Sequence, residues 1–180
     1  MFTETTRLII RDVQRADLLS LLAISSDPEV FRTNDVLPAD EAKLREWLDD
    51  TIAHNEQMPR SSHTCAIVLK ATDQVIGWIG FIVPSDLRKD NVDFGYAINR
   101  AYWNQGYMTE AVRTMLAYCF DVIGAQAIAA YHMKFNPSSG KVMQKAGMRL
   151  DDVMMAGRTD DEVHYIITAH DWHASQHPNN

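Results

Sequence analysis

The spacing of hydrophobic residues along the first third of the chain predicts one strand and two helices. Residues 7–11 are typical of a strand, and leucines at helical spacing predict a helix over residues 16–25. Pro38 suits the first position of a second helix, which reaches about Asn55 because four apolar residues share one face. A polar loop follows as far as Ser62.

From Thr64 onward the pattern predicts mainly strands. The predicted strands cover residues 64–70, 75–83, 91–98, 127–133, 148–155 and 162–169. One helix begins near Met108 and ends at Gly124, and a shorter one covers residues 138–146 and stops at Gly147. The order β-αα-βββ-α-β-α-ββ has no dividing linker, which predicts one α+β domain with a mixed, mostly antiparallel central sheet flanked by helices. We expect this domain to occupy residues 1–170 and a C-terminal tail to occupy residues 171–180.

Composition and charge narrow the function. Hydrophobic residues make up 46% and charged residues 23% of the 180, which is typical of a globular protein and not of a disordered or coiled-coil chain. The formal net charge of −7 argues against nucleic-acid binding. Residues 96–150 nevertheless hold six basic and two acidic side chains, so this segment carries +4 and the rest of the chain −11. Such an uneven distribution suggests a locally held anionic ligand.

Nothing in the sequence predicts a membrane protein. The first residues include Glu4 where a signal peptide needs positive charge, and the longest apolar stretch, residues 75–83, is too short to span a bilayer. Cys65 and Cys119 make neither a disulfide framework nor a metal-binding pair. We therefore expect a cytoplasmic protein that binds no membrane.

The segment most informative about chemistry is a strand that runs into a turn and then an amphipathic helix. Gly106 lies in this turn, and the backbone N–H groups at such a helix start form a cradle for phosphate. The segment matches neither the P-loop nor the GxGxxG dinucleotide fingerprint. A lone glycine at a helix start also fits an ordinary turn, so the assignment depends on the surrounding residues.

Those surrounding residues resemble the acyl-CoA-binding motif of the GNAT N-acetyltransferase superfamily. The likeness is greatest for the branch that includes ribosomal-protein-alanine N-acetyltransferases. The Gly95-Tyr96 pair is followed by a W-x-x-G-Y-x-T-E-A stretch that begins at Trp103. A second block, N-x-x-S-x-x-V-x-x-K-x-G, begins at Asn136, and residues 6–11 resemble the first strand of this branch.

The resemblance implies direct transfer of acetyl from acetyl-CoA to an amine, without an acyl-enzyme. Two adjacent strands would separate so that the pantetheine arm inserts and pairs with the backbone of Tyr96 to Ile98. The pyrophosphate would bind the N–H groups from Gln105 to Thr109, and Asn136 and Ser139 would reach the pantetheine and the thioester sulfur. The implied acetyl-CoA-binding residues are Tyr96, Ala97, Ile98, Trp103, Asn104, Gln105, Gly106, Tyr107, Met108, Thr109, Asn136 and Ser139.

Two positions depart from the superfamily pattern. Met108 stands where most members have Gly or Ala, although its side chain can point away while its N–H contacts phosphate. Met143 stands where many members have the tyrosine that protonates the leaving thiolate, and Met143 donates no proton. Ser139 is the predicted substitute that stabilises the thiolate.

The attacking amine must be neutral, although a free alkyl amine is mostly protonated at pH 7. The resemblance makes Asp93 the predicted general base, with a solvent-exposed carboxylate at a strand end as the simpler alternative. Glu110 is a second candidate base, but its place in a first helical turn favours a capping or dipole role.

Several alternatives stay open on sequence alone. The acceptor is the N-terminus of a protein or a small-molecule amine such as a polyamine, and a homodimer is possible because dimers are common among relatives. A non-catalytic acyl-CoA-binding or sensing module on the same fold is the main alternative to an enzyme. His170, His173 and His177 have metal-ligand spacing, but we predict no metal because they lie near the end of the chain.

Overall fold

The computed structural model describes residues 2–33, 36–82, 92–151 and 161–176, without the side chains of Phe2, Val92 and Asp93. The strands are β1 (Phe2–Glu4), β2 (Leu8–Asp12), β3 (Ser62–Leu69), β4 (Gln74–Ile82), β5 (Val92–Ile98), β6 (Ala127–Met133), β7 (Arg149–Leu150) and β8 (Glu162–Thr168). The helices are α1 (Leu18–Ser25), α2 (Pro28–Phe31), α3 (Glu41–Asn55), α4 (Tyr107–Ala117), α5 (Pro137–Ala146) and α6 (Ala169–Gln176). Helix α4 continues as a π-helical turn over Tyr118–Ile123.

All the strands belong to one sheet with the order β1-β2-β3-β4-β5-β6-β8-β7. Neighbouring strands pair antiparallel except β5 and β6, which are parallel. This arrangement confirms the predicted α+β fold with a mixed, mostly antiparallel sheet. The single parallel pair follows from helix α4, which carries the chain from the end of β5 back to the start of β6.

Helices cover both faces of the sheet, and each face has its own hydrophobic core. Helices α4 and α5 bury Met115, Leu116 and Met143 against residues such as Ile10 and Ile79. On the opposite face, helices α1 and α3 bury Leu21, Leu44 and Leu48 against Ala66, Val68 and Trp78. Residues of β5 therefore alternate between the two cores: Phe94 and Ile98 lie toward α4 and Ala97 toward α1.

The predicted elements agree with the structure in the central part of the chain and differ near its ends. Helix α3 begins at Glu41, later than Pro38, because the Asp40 carboxylate caps the helix by accepting the N–H of Lys43. Of the predicted strand at residues 148–155, the structure contains Arg149–Leu150 as β7, and residues 152–160 lie outside the described residues.

The last helix was not predicted. Residues 169–176 form α6 where a tail was expected from residue 171, and Trp172 is buried with its ring stacked on Phe120 at 5.8 Å. Residues 177–180 lie outside the described residues, and the division at residue 170 stays a prediction. In the described parts of the chain, no helix has the length and apolar character needed to cross a membrane.

Candidate active site

Strands β5 and β6 separate from each other shortly after they begin. They pair only at Val92 with Ile128 and at Asp93 with Ala129, whereas β5 stays paired with β4 as far as Ile98. The edge of β5 from Phe94 onward therefore faces a gap between two neighbouring strands. The sequence resemblance implied such a separation, and its branch point lies at Asp93.

The N-terminus of helix α4 lies directly beyond the end of β5. Gly106 precedes the helix with a left-handed backbone (φ +81°), and Asn104 also has a positive φ of 59°. Within the described residues, no acceptor bonds the N–H groups from Gln105 to Thr109, and no side chain caps the helix. Met108 is buried in the core, so its side chain leaves this row of N–H groups open. The turn can therefore accept an anion.

The connection between β1 and β2 holds this turn in place. The Arg7 guanidinium donates from Nε to the Glu110 carboxylate at 2.7 Å and from Nη1 to the Gln105 carbonyl at 3.0 Å. It also lies 4.2 Å from the centre of the Tyr107 ring, while the Thr5 hydroxyl donates to Glu110. Although partial burial opposes the shift, these hydrogen bonds hold the pKa of Glu110 below its usual range. Glu110 therefore serves as a structural partner of Arg7, and its lowered pKa argues against a role as general base.

Two predicted binding residues use their side chains to shape the same turn. The Trp103 indole N–H donates to the carbonyl of Ile98 at 2.9 Å, which ties the turn to the end of β5. The Gln105 side chain donates to the carbonyl of Ala101 at 2.9 Å. Both residues thus contribute to the geometry of the turn before any ligand is bound.

Helix α5 borders the gap on the side of β6. Asn136 lies immediately before the helix, half-buried, and its side chain does not cap it. Ser139, in the first turn, has its Oγ 2.8 Å and its carbonyl oxygen 3.2 Å from the Tyr96 hydroxyl. Burial raises the pKa of Tyr96 to about 12, so the phenol keeps its proton at neutral pH. Sequence reasoning placed the backbone of Tyr96 at the site but missed its hydroxyl.

A cleft of about 580 Å³ opens beside the N-terminus of α4. Its charged lining consists of Arg113 on α4, Lys145 on α5 and two carboxylates, Glu4 and Glu110. Glu4 is paired with Lys70 and Glu110 with Arg7. Lys141 is not among the lining residues, and Arg100 pairs with the Asp27 carboxylate at 2.9 Å. The basic side chains of residues 96–150 thus lie in separate places. Those of Arg113 and Lys145 line the cleft next to the anion-accepting turn.

Asp93 and the three histidines near the C-terminus lie in or beside parts of the chain that the structure does not describe. The backbone of Asp93 lies at the branch point of β5 and β6, whereas its side chain lies outside the described residues, so its role as base stays a prediction. His170 and His173 are exposed on α6, and His177 lies outside the described residues. No group of three ligating side chains that could hold a metal occurs among the residues described.

Comparison with known proteins gives a consistent family. A sequence profile described as the acetyltransferase (GNAT) domain matches residues 7–149. The chain is 28% identical over 163 residues to an uncharacterized N-acetyltransferase, p20, of Bacillus licheniformis, with 87% of this chain and 90% of that protein covered.

Solved structures share the fold. An acetyltransferase of the GNAT family from Bacillus anthracis superposes with a TM-score of 0.78 and 24% identity, covering 94% of this chain and 99% of that one. The ribosomal-protein-S5-alanine acetyltransferase of Vibrio fischeri superposes with a TM-score of 0.77 and 16% identity, covering 96% and 98%.

Proposed function

This chain belongs to the GNAT acetyltransferase family and is an acyltransferase, and from that premise we propose that it moves an acetyl group from acetyl-CoA directly to a primary amine. The observation that carries the proposal is the separation of β5 and β6 after Asp93, directly beside the open N-terminus of α4. The gap offers unpaired strand backbone to an extended pantetheine arm, and the helix start offers N–H groups to the pyrophosphate.

In this proposal, the donor lies along residues that the fold already brings together. The N–H groups from Gln105 to Thr109 bind the pyrophosphate, while the backbone of Tyr96, Ala97 and Ile98 pairs with the pantetheine. Asn136 and Ser139 approach the arm and the thioester sulfur from the opposite side of the gap. The open N–H groups at the start of α4 support the first assignment, and the half-buried position of Ser139 beside Tyr96 supports the last.

The cleft beside the N-terminus of α4 suits the phosphate on the ribose of CoA, because its two carboxylates are already paired with Lys70 and Arg7. Arg113 and Lys145 place two positive charges next to Thr109, within the same surface as the pyrophosphate site. Lys141, on the same helix as Lys145, does not line the cleft. We therefore assign the ribose phosphate to Arg113 and Lys145.

Catalysis requires a neutral amine and a stabilised leaving thiolate. Asp93, at the point where β5 and β6 part, would take the proton from the amine, directly or through water. The amine nitrogen then attacks the thioester carbonyl, and the carbon–sulfur bond breaks with its electron pair passing to sulfur. The Ser139 hydroxyl would donate a hydrogen bond to that sulfur.

For the acceptor, we propose the N-terminus of a protein or a small cationic amine. The 125 residues outside the segment 96–150 carry −11, which favours the approach of a positively charged acceptor. We also propose a cytoplasmic location, which Cys65 and Cys119 support, because both are buried and two cysteines make no disulfide framework.

A panel of primary amines tests this function. Peptides with different N-terminal residues and polyamines are incubated with acetyl-CoA, and released CoA thiol is followed against a reaction without amine. We expect amine-dependent thiol release that Asp93→Asn lowers at least 10-fold without weakening acetyl-CoA binding, as for loss of a general base. Thiol release that no amine accelerates would contradict the proposal and favour a sensing module.

A further inference from the structure

The leaving thiolate needs a hydrogen-bond donor. On α5, the hydroxyl that faces the strands at the gap is that of Ser139. Ser139 and Met143 are one turn apart and so share a face of the helix. Met143 is 1% exposed within the hydrophobic core and has no proton to give. A serine hydroxyl rotates freely about its Cβ–Oγ bond, and a donor that occupies one lone pair of the oxygen leaves the serine hydrogen available to point at sulfur.

The Tyr96 hydroxyl can donate a hydrogen bond to the Ser139 oxygen from the other side of the gap. It lies on β5 three residues beyond Asp93, in the part of the strand that no longer pairs with β6. Its hydroxyl is 2.8 Å from the Oγ of Ser139, and its ring packs edge-on against the Phe94 ring, with 6.0 Å between the ring centres. The bond therefore joins the two walls of the gap at the height of the first turn of α5.

In the contacts between Tyr96 and Ser139, the two hydroxyl hydrogens can be arranged in two ways. If Tyr96 donates to Ser139 Oγ, the serine hydrogen is free to point at a ligand. If instead Tyr96 donates to the Ser139 carbonyl, 3.2 Å away, the serine hydrogen points at the phenol oxygen. The greater acidity of a phenol than of an alkyl alcohol favours donation from Tyr96 to Ser139 Oγ.

We propose that Tyr96 is a positioning residue for the leaving group: its hydroxyl donates to Ser139 Oγ and thereby directs the serine hydrogen at the sulfur of CoA. This inference rests on the proposed function, because it assigns the sulfur to the gap beside Ser139. Tyr96 and Ser139 together take the place of the single donor that is absent at Met143.

The chemical step balances without proton loss from either hydroxyl. The ammonium group of the acceptor first gives one proton to the base. The neutral nitrogen then forms the new bond to the acetyl carbon and loses its second proton to solvent, while the sulfur leaves with the electron pair of the carbon–sulfur bond. Ser139 holds the thiolate by a hydrogen bond that Tyr96 strengthens through a chain of donors. The thiolate takes one proton from solvent after it is released.

The pKa of the thiol of bound CoA tests this directly and needs no acceptor. The thiolate absorbs in the ultraviolet, so its titration is followed in the complex of protein and CoA. We expect the wild-type protein to lower the thiol pKa below that of free CoA, and Tyr96→Phe to raise it again by about one unit, a 10-fold change in the ionisation constant. Tyr102→Phe is the matched control, because the Tyr102 hydroxyl bonds Gln74 at 2.9 Å instead.

Turnover provides the second measurement. Tyr96→Phe should lower kcat about 10-fold at an unchanged Kd for acetyl-CoA, because residue 96 pairs with the pantetheine through its backbone, and should lower the melting temperature by only about 3 °C. In a Ser139→Ala background the same change should have no further effect, because the two residues act as one unit.

The outcomes separate this inference from the proposed function. A wild-type thiol pKa equal to that of free CoA, or independent losses in the Tyr96 and Ser139 variants, would overturn the role of Tyr96 even if amines are acetylated. A lowered thiol pKa that depends on Tyr96, found in a protein that acetylates no amine, would support this inference and refute the proposed function. A protein that binds no CoA would refute both.

Discussion

Gly140 controls how closely the first turn of α5 approaches the sheet, and therefore where Ser139 lies. A methyl group at this position would lie 2.5 Å from Nε2 of His132 and 3.0 Å from the Tyr165 hydroxyl. Ordinary contact needs about 3.5 Å, so about 1 Å of movement is required. The buried His132 ring is stacked on Tyr165 and held at Nδ1, 2.9 Å from the Met133 carbonyl, so we expect α5 to move instead.

Two opposing effects set the size of the change in Gly140→Ala. Overpacking costs about 1 to 3 kcal/mol, and replacing glycine by alanine inside a helix returns about 1 kcal/mol. We therefore predict a net loss of about 1 kcal/mol in the free energy of unfolding, within a range from about 0 to 2. A displacement of about 1 Å at the adjacent Ser139 should lower kcat about 100-fold.

Urea denaturation and steady-state kinetics measure the two effects. The exposed neighbour Ser138→Ala, on the same turn, serves as the control and should change neither. His132→Ala removes the nearest obstacle, so in that background Gly140→Ala should become neutral or stabilising and should recover kcat. If Gly140→Ala stabilises the otherwise unaltered protein by about 1 kcal/mol and keeps full activity, the packing argument is wrong.

Three further predictions follow from the site and the core. Gly106→Ala and Gly124→Ala both place alanine at positive φ and should each cost about 1 kcal/mol of stability, but calorimetry should show weaker acetyl-CoA binding only for Gly106→Ala. Lys145→Ala should weaken acetyl-CoA binding about 3-fold, Lys141→Ala should leave it unchanged, and neither should affect a donor that lacks the ribose phosphate. Burial lowers the pKa of His63 to about 4, below that of the unfolded chain, so the protein should lose up to about 3 kcal/mol as the pH falls from 6.5 to 4. Urea denaturation of His63→Phe should lack this part of the acid destabilisation, and an identical loss in both proteins would contradict the argument.

Local patterns predicted the elements that decide the fold class. Strand β6 occupies residues 127–133 as predicted, and α5 ends before Gly147, which has a positive φ of 103°. These elements can be predicted because their apolar residues repeat with the period of a strand or of a helix, and because a glycine marks the end of the helix. Helix α6 was missed because Trp172 is its one buried residue, so its sequence carries no apolar period.

Such local patterns do not predict contacts between residues that are far apart in the sequence. The Arg7–Glu110 pair joins residues 103 positions apart, and Tyr96 meets Ser139 across 43 positions. The resemblance to a known family implied that Tyr96 and Ser139 lie at the acetyl-CoA site, but the bonds between these side chains depend on how α4 and α5 pack on the sheet. The cleft beside Lys145 is a product of the same packing.

The central claim is direct transfer of acetyl from CoA to an amine. It is tested most directly with acetyl-CoA labelled in the acetyl group, by mass spectrometry of both the amine and the intact protein. We predict that the label appears in the acetylated amine in a one-to-one ratio with released CoA thiol, while the protein itself stays unmodified. Label found only in free acetate, or on the protein before the amine is added, would contradict the account.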